Sequence, residues 1–250
     1  MKVQSLTRAF DIVELLSREQ HGLTLTEVSA RLDLPQSTTY RLLSALKERG
    51  YVEQTKPSSW YRLGLAFVEL SSLYLNRLEL KTEAEPFLRE LSQKTRQTVF
   101  MATRDGDQIV YIEKVEQFDS LRKYSIIGQR KPVYATSLGK ALLLGLTDIE
   151  IREALAHTRF EALGPKTLTD LQRLLYEIQI SRERGWTLDD EEAEPGVRCV
   201  AAPVRDYRGH VIASVSTSWS IPAYPDIDIA QFAEYVQNAT RAISVHMGFR

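Results

Sequence analysis

The sequence predicts an α+β protein in two parts. The first is a small, mostly helical N-terminal unit closed by a two-stranded hairpin; the second is a larger unit of helices and antiparallel strands. Three observations lead there. The run LTLTEVSARLDLPQSTTYRLLSALKERG, Leu23 to Gly50, has the apolar spacing of two short helices, broken at Asp33-Leu34-Pro35. Directly after it, YVEQTKPSSWYRL reads as strand, turn, strand. From Lys81 the texture changes to amphipathic helices alternating with short strands. A chain of 250 residues that is 43% apolar and 26% charged has the make-up of a soluble globular protein of one large or two modest domains.

Taken in order, Ser5–Ser17 forms a helix whose buried side is drawn from Leu6, Ala9, Phe10, Val13, Leu15 and Leu16. Thr24 caps the next helix, Glu27 completes a capping box, and Val28 and Leu32 supply its inner side. A third helix opens after Pro35 and stops at Gly50, which suits a left-handed cap. On that helix Thr39, Leu42, Leu43 and Leu46 make one apolar stripe. At about 100° per residue, Ser37, Arg41 and Ser44 point the opposite way, with Thr38 and Tyr40 on the flanks. Small hydroxyls allow close approach, and an arginine can fork onto guanine, so this face suits a major groove. The hairpin that follows makes a wing, with Lys56, Ser58 and Ser59 at its tip and Arg62 near its base. Together these features predict a winged helix-turn-helix over residues 1–64.

Residues 65–80, beginning LAFVELSSLYLNRL, are too apolar for an exposed linker. They predict a connecting helix, contributing either to dimerisation or to burial within one chain. The remainder, 81–250, reads as Thr82–Thr95 helix with Pro86 near its first turn, then strands at Val99–Ala102 and Gln108–Val115 around Asp105-Gly106. A strand at Leu121–Ile127 and helices at Thr136–Leu146, Thr147–Ala156 and Thr169–Glu183 follow. Strands at Cys199–Val204 and Val211–Ser218 and a helix at Ile227–Met247 complete it.

Function classes narrow accordingly. No apolar run is long enough to span a bilayer, and the N-terminus lacks the apolar core of a signal peptide. The single cysteine, Cys199, excludes an intrachain disulfide framework and fits a reducing cytoplasm. Residues 1–62 hold nine Lys and Arg against seven Asp and Glu, a surplus of two, within a net charge of −1. A reader so mildly charged depends on local contacts and dimeric binding rather than bulk field. The acidic run Asp189-Asp190-Glu191-Glu192 has no His or Cys at ligand spacing, so most of it reads as a solvated or capping turn, and no metal or cofactor is expected. Cys199 lies in an apolar strand without a partnering histidine motif, as a buried thiol or a pocket wall. No nucleophile elbow, P-loop or dinucleotide fingerprint is present. Two stretches suggest binding instead. The amides near Ser137 and Leu138 open a helix and can receive a carboxylate, and Ser216 and Ser218 share one face of a strand.

At these residues the chain resembles the isocitrate-lyase-regulator (IclR) family of bacterial transcription factors along essentially its whole length. The resemblance rests on the helix-turn-helix run, YRLG at Tyr61–Gly64, PVYATSLGKALL at Pro132–Leu143, and GWTLDDEEAEPGVRCVAAPVRDYRG from Gly185 followed by VIASVSTS. It implies a winged helix, a helical linker and a GAF-like effector-binding domain, assembled as a dimer or dimer of dimers. It also implies binding to double-stranded operator DNA controlled by a small organic acid. By the same resemblance the acid's carboxylate meets the Ser137 and Leu138 amides. Asp189 meets a hydroxyl or carbonyl hydrate, and Cys199, Ser216 and Ser218 line the pocket. This chain departs from the family in LRKYSIIGQRKP, where Lys123 and Lys131 replace apolar wall residues, and at Tyr134, where His is frequent. If either lysine faces inward, the effector is more polar than a bare keto-acid, as a sugar acid is; if both face solvent they say nothing. The rival reading is a carboxylate-binding protein or enzyme that does not bind DNA.

Overall fold

The structure, a computed structural model, describes residues 4–55, 59–70, 79–116 and 127–249. Lys56, Ser58 and Lys123, the middle of the expected linker, and all but the last residue of the strand expected at Leu121–Ile127 lie outside them. The chain divides into two compact units, residues 1–77 and 78–250.

In the first unit, helices α1 (Gln4–Ser17), α2 (Leu25–Arg31) and α3 (Gln36–Glu48) are followed by strands β1 (Val52–Gln54) and β2 (Tyr61–Leu63). The core is Ile12, Leu16, Leu23, Val28, Leu43, Val52 and Tyr61. Leu6 and Phe10, expected inside, are instead 55% and 58% exposed. The stripe through Ile12 and Leu16 takes the inner position, and so small a unit cannot also cover the adjacent one. Thr24 and Glu27 form the expected reciprocal cap: the Glu27 N–H donates to the Thr24 hydroxyl at 3.3 Å, and the Thr24 N–H to the Glu27 carboxylate at 2.7 Å. The break between α2 and α3 is held by Asp33 in the left-handed region, φ 50°, a conformation Asp tolerates. The Ser29 hydroxyl donates to the Leu34 carbonyl at 2.5 Å across the same turn. Gly50, φ 75°, ends α3 as expected. β1 and β2 pair antiparallel, Val52 opposite Leu63, and Leu23 bridges to Tyr61 on the other side. Gly64 lets the hairpin return against α3's end, since a Cβ there would sit 2.1 Å from the Gly50 carbonyl oxygen. Residues 66–70 begin a further helix, α4, with Val68 and Leu70 exposed beside Leu65.

The second unit carries α5 (Glu79–Thr95), β3 (Thr98–Asp105), β4 (Gln108–Val115), β5 (Arg130–Pro132), α6 (Ser137–Leu143), α7 (Asp148–Ala154), α8 (Leu171–Arg184), β6 (Thr187–Asp190), β7 (Val197–Arg205), β8 (Val211–Ser220) and α9 (Ile229–His246). The strands form one antiparallel sheet in the order β5-β4-β3-β8-β7-β6. Pro86 lies inside α5 rather than in its first turn, because the helix is already formed at Glu79 and Leu80 is buried. The missing N–H leaves only one carbonyl, that of Thr82, without its helical donor. Thr147 and Glu150 make a second capping box at α7, and Gly185, φ 79°, ends α8. β5 is the short strand that leads into the helix start after Pro132; β6 is not expected from sequence, because Asp189 and Asp190 give it no strand-like run of apolar residues.

Strand alternation gives the sheet two unlike faces. Val99, Met101, Val200, Ala202, Ala213 and Val215 face Leu88 and Leu91 of α5 and Phe232, Val236 and Ile243 of α9. Each fully buried Val, Leu, Ile or Met among them contributes roughly 1.5–3 kcal/mol relative to exposure. The opposite face presents Phe100, Ala102, Ile109, Tyr111 and Ala201 to Tyr134, Leu138, Ala141 and Leu142 around α6.

Candidate functional site

On α3 the two faces separate as the spacing predicts. Thr39 and Leu43 are buried, Leu42 and Leu46 partly so, while Ser37, Tyr40, Arg41 and Ser44 are exposed and Thr38 is intermediate. Pro35 caps the helix without a side-chain acceptor. The first N–H groups of a 13-residue helix therefore point outward beside the exposed hydroxyls, an arrangement that attracts a phosphate. Ser59 is exposed at the described edge of the wing, with φ 54°. Arg62 is only partly exposed, and its Nε donates to the His21 carbonyl at 3.0 Å, so part of its guanidinium serves the fold.

In the second unit, Asp189, Cys199 and Ser218 stand in register across β6, β7 and β8. Two anchors fix which face they share. The Thr187 hydroxyl donates to the Ser137 carbonyl at 2.7 Å, and the Ser214 hydroxyl to the Leu138 carbonyl at 3.0 Å. Asp189 lies two residues beyond Thr187, and Ser216 and Ser218 lie two and four beyond Ser214, so all turn toward the start of α6. There the Thr136 hydroxyl accepts from the Gly139 N–H at 3.0 Å, a cap that does not engage the Ser137 and Leu138 amides of the first turn. Ser216, Ser137, Leu138 and Asp189 are buried, while Cys199 and Ser218 are partly so. Lys131 stands opposite Ile109, which faces α6, so the edge lysine belongs to this face as well.

The electrostatics provide no activated nucleophile among these groups. Burial raises the Asp189 carboxyl, opposed by the N–H groups of Glu192 and Ala193, at 2.8 and 3.3 Å, and by Lys140 and Lys131. Burial pushes the Cys199 thiol up and outweighs the Ser218 hydroxyl that donates to it at 3.0 Å, so it is held neutral. The acidic run is not uniformly a solvated turn. Asp190 and Glu191 are partly exposed and pair with Lys166, Asp190 also with Arg198, but Asp189 and Glu192 are buried. Glu192 accepts from the fully buried Lys140 at 2.6 Å, and burial raises its carboxyl to about 7 against that partner. Lys140 and Glu192 were not singled out from sequence as a pair. The signal available was a lysine one turn after Ser137, on a helix with no other charge. Tyr134 is a core residue: its hydroxyl binds the backbone of Glu161 at 2.8 and 3.0 Å, and its ring packs on Phe160. Among the described residues no group of His, Cys, Asp and Glu could hold a metal, and no helix is long and apolar enough to cross a membrane.

Residues 5–56 match the model of the IclR helix-turn-helix domain, and residues 72–245 that of the bacterial transcriptional regulator IclR C-terminal domain. The chain belongs to the IclR family. This IclR-family protein is 36% identical over 247 residues to the HTH-type transcriptional regulator XynR of Escherichia coli strain K12, covering 99% of this chain and 98% of XynR. It is 31% identical to the HTH-type transcriptional repressor AllR of the same strain, covering 99% and 91%. Among solved structures, the Thermotoga maritima IclR aligns with a TM-score of 0.84 at 27% identity, covering 99% of this chain and 100% of that one. The C-terminal domain of E. coli KdgR aligns with a TM-score of 0.62 at 34% identity over 69% of this chain and 100% of its own. The IclR-family chain is thus a DNA-binding transcriptional regulator and not an enzyme.

Proposed function

We propose that this regulator binds double-stranded operator DNA in the cytoplasm as a homodimer or dimer of dimers, and that a small organic acid controls that binding. Its parts are a winged helix-turn-helix at 1–64, a linker and dimerisation helix at 65–80, and an effector-binding domain at 81–250. Ser37, Thr38, Tyr40, Arg41 and Ser44 meet the major groove, and Lys56, Ser58, Ser59 and Arg62 the adjacent backbone. The acid's carboxylate meets the Ser137 and Leu138 amides, while Asp189, Cys199, Ser216, Ser218, Lys131 and Lys123 contact the rest.

The observation that carries the effector half is the register of Asp189, Cys199 and Ser218 on the sheet face that meets the first turn of α6. Hydrogen-bonding groups of three kinds converge there with a helix end that favours an anion, around a thiol too weakly acidic to attack. Lys131 on the same face favours an oxygen-rich acid, such as a sugar acid. The effector acts by preferring one arrangement of the protein over another, and can shift DNA binding only by that difference in affinity.

The test selects duplexes from a random pool with the full chain, then titrates the selected duplex with glyoxylate, pyruvate and D-gluconate present in turn. A selected sequence whose affinity changes with at least one acid is the expected result. Selection of a sequence that no acid in a wider panel affects removes the effector half and leaves the DNA half standing.

A further inference from the structure

Lys140 and Glu192 join the two pieces of chain that carry opposite ends of the proposed site. Lys140 sits on α6, one turn after the Ser137 and Leu138 amides, and is 0% exposed. Glu192 follows β6 three residues after Asp189, with its backbone N–H donating to the Asp189 carboxylate at 2.8 Å. Lys140 Nζ donates to Glu192 Oε1 at 2.6 Å. The other oxygen, Oε2, is the one buried side-chain polar atom without a hydrogen-bond partner among the described residues. A lone buried carboxylate oxygen is costly chiefly while it is charged, and protonation removes that charge without admitting another group.

The charges facing Glu192 come from three elements: Lys140 on α6, Asp189 on β6 and Glu177 on α8. Glu177 is itself paired with Arg184 at 2.6 Å, which offsets its charge. Lys131 adds a positive charge acting on Asp189. From the 163–167 segment the Thr167 hydroxyl donates to the Glu192 backbone carbonyl at 2.6 Å, and Lys166 pairs with Asp190 and Glu191. The inner group, two carboxylates around one ammonium, is net negative when both are ionised, so a further anion beside it favours protonation of a carboxyl.

Resting on the effector reading above, we propose that Glu192 is a positioning residue of the effector site that takes up a proton from solvent at Oε2 when an anionic effector binds. Before binding, Lys140 and the half-ionised Glu192 hold the α6 end against the Asp189 hairpin. The arriving carboxylate draws on the same ammonium, and Glu192 becomes neutral in response. With the free carboxyl near 7, about half a proton is taken up at pH 7. If effector binding raises that value by one unit, affinity rises about fivefold from pH 8 to pH 6.

The experiment is titration calorimetry of the full chain with glyoxylate, pyruvate and D-gluconate at pH 7, in phosphate and in Tris. The dependence of the heat on buffer ionisation counts protons. Uptake by the wild type that vanishes in Glu192→Gln, together with a flattened pH profile and retained binding, supports the proposal. The amide keeps an oxygen for Lys140 but accepts no proton. Binding by the wild type with no proton uptake overturns the proposal whether or not the variant folds, as does undiminished uptake in a folded Glu192→Gln. Absence of binding by any acid, with duplex binding intact, removes the effector reading and this inference with it.

Discussion

Arg41→Ala separates base recognition from mere attraction to DNA. Arg41 lies on the exposed face of α3, two residues before the buried Leu43, and forms no ion pair among the described residues. Its removal should leave the thermal stability of the N-terminal unit within about 0.5 kcal/mol of the wild type, as for other exposed positions. The whole effect then falls on DNA. A bidentate guanidinium on guanine is worth about 1–3 kcal/mol, or roughly five- to 150-fold in affinity for the selected duplex. Affinity for a random duplex should change little, and the salt slope should stay the same. A phosphate contact behaves differently: both duplexes weaken together, and the slope falls by about 0.9. Fluorescence anisotropy at four salt concentrations on both duplexes resolves the two. Equal affinity of variant and wild type on both, at every salt, would falsify the placing of this helix face against DNA.

Three further outcomes follow from the packing. Lys140→Met leaves Glu192 buried without its cation and should cost the second unit about 3–5 kcal/mol at pH 8. Because the orphaned carboxyl binds a proton more tightly folded than unfolded, this loss shrinks as pH falls toward 6; urea unfolding at both values checks it, and a pH-independent cost contradicts it. Ser216→Ala with Ser218→Ala should weaken the response to the effector acid at least tenfold while ligand-free duplex affinity stays unchanged; loss of both would mean misfolding. Gly64→Ala drives a Cβ into the Gly50 carbonyl oxygen, backbone against backbone, and should lower the melting of the N-terminal unit by at least about 1 kcal/mol. The far-ultraviolet transition of the C-terminal unit serves as the internal reference.

Legibility in the sequence followed the strength of local signals. Thr24 with Glu27 and Thr147 with Glu150 were readable because a capping box is complete within four residues. The polar face of α3 was readable because helical period alone assigns it. Phe10 was misplaced because two adjacent stripes compete on α1 and only tertiary packing chooses between them. Pro86 was misplaced because apolar residues at the start of α5 carry the helix past a position that local chemistry disfavours. At the candidate site, alternation paired Ser216 with Ser218, but nothing local could bring Thr187 to Ser137, 50 residues away. The burial of Asp189 and Glu192 was equally hidden, because four consecutive acids look solvated until α6 delivers a lysine to them.

One consequence of the two-faced sheet concerns descent rather than chemistry. Along β8, Ser214, Ser216 and Ser218 look one way, while Val215 and Trp219 join the packing beneath α5 and α9. A lineage can therefore exchange Ser216 and Ser218 and try new ligands while Ser214 keeps its anchor on α6 and the intervening residues keep the molecule folded. Divergence in what such proteins sense should accumulate at alternate positions, with their neighbours left almost untouched.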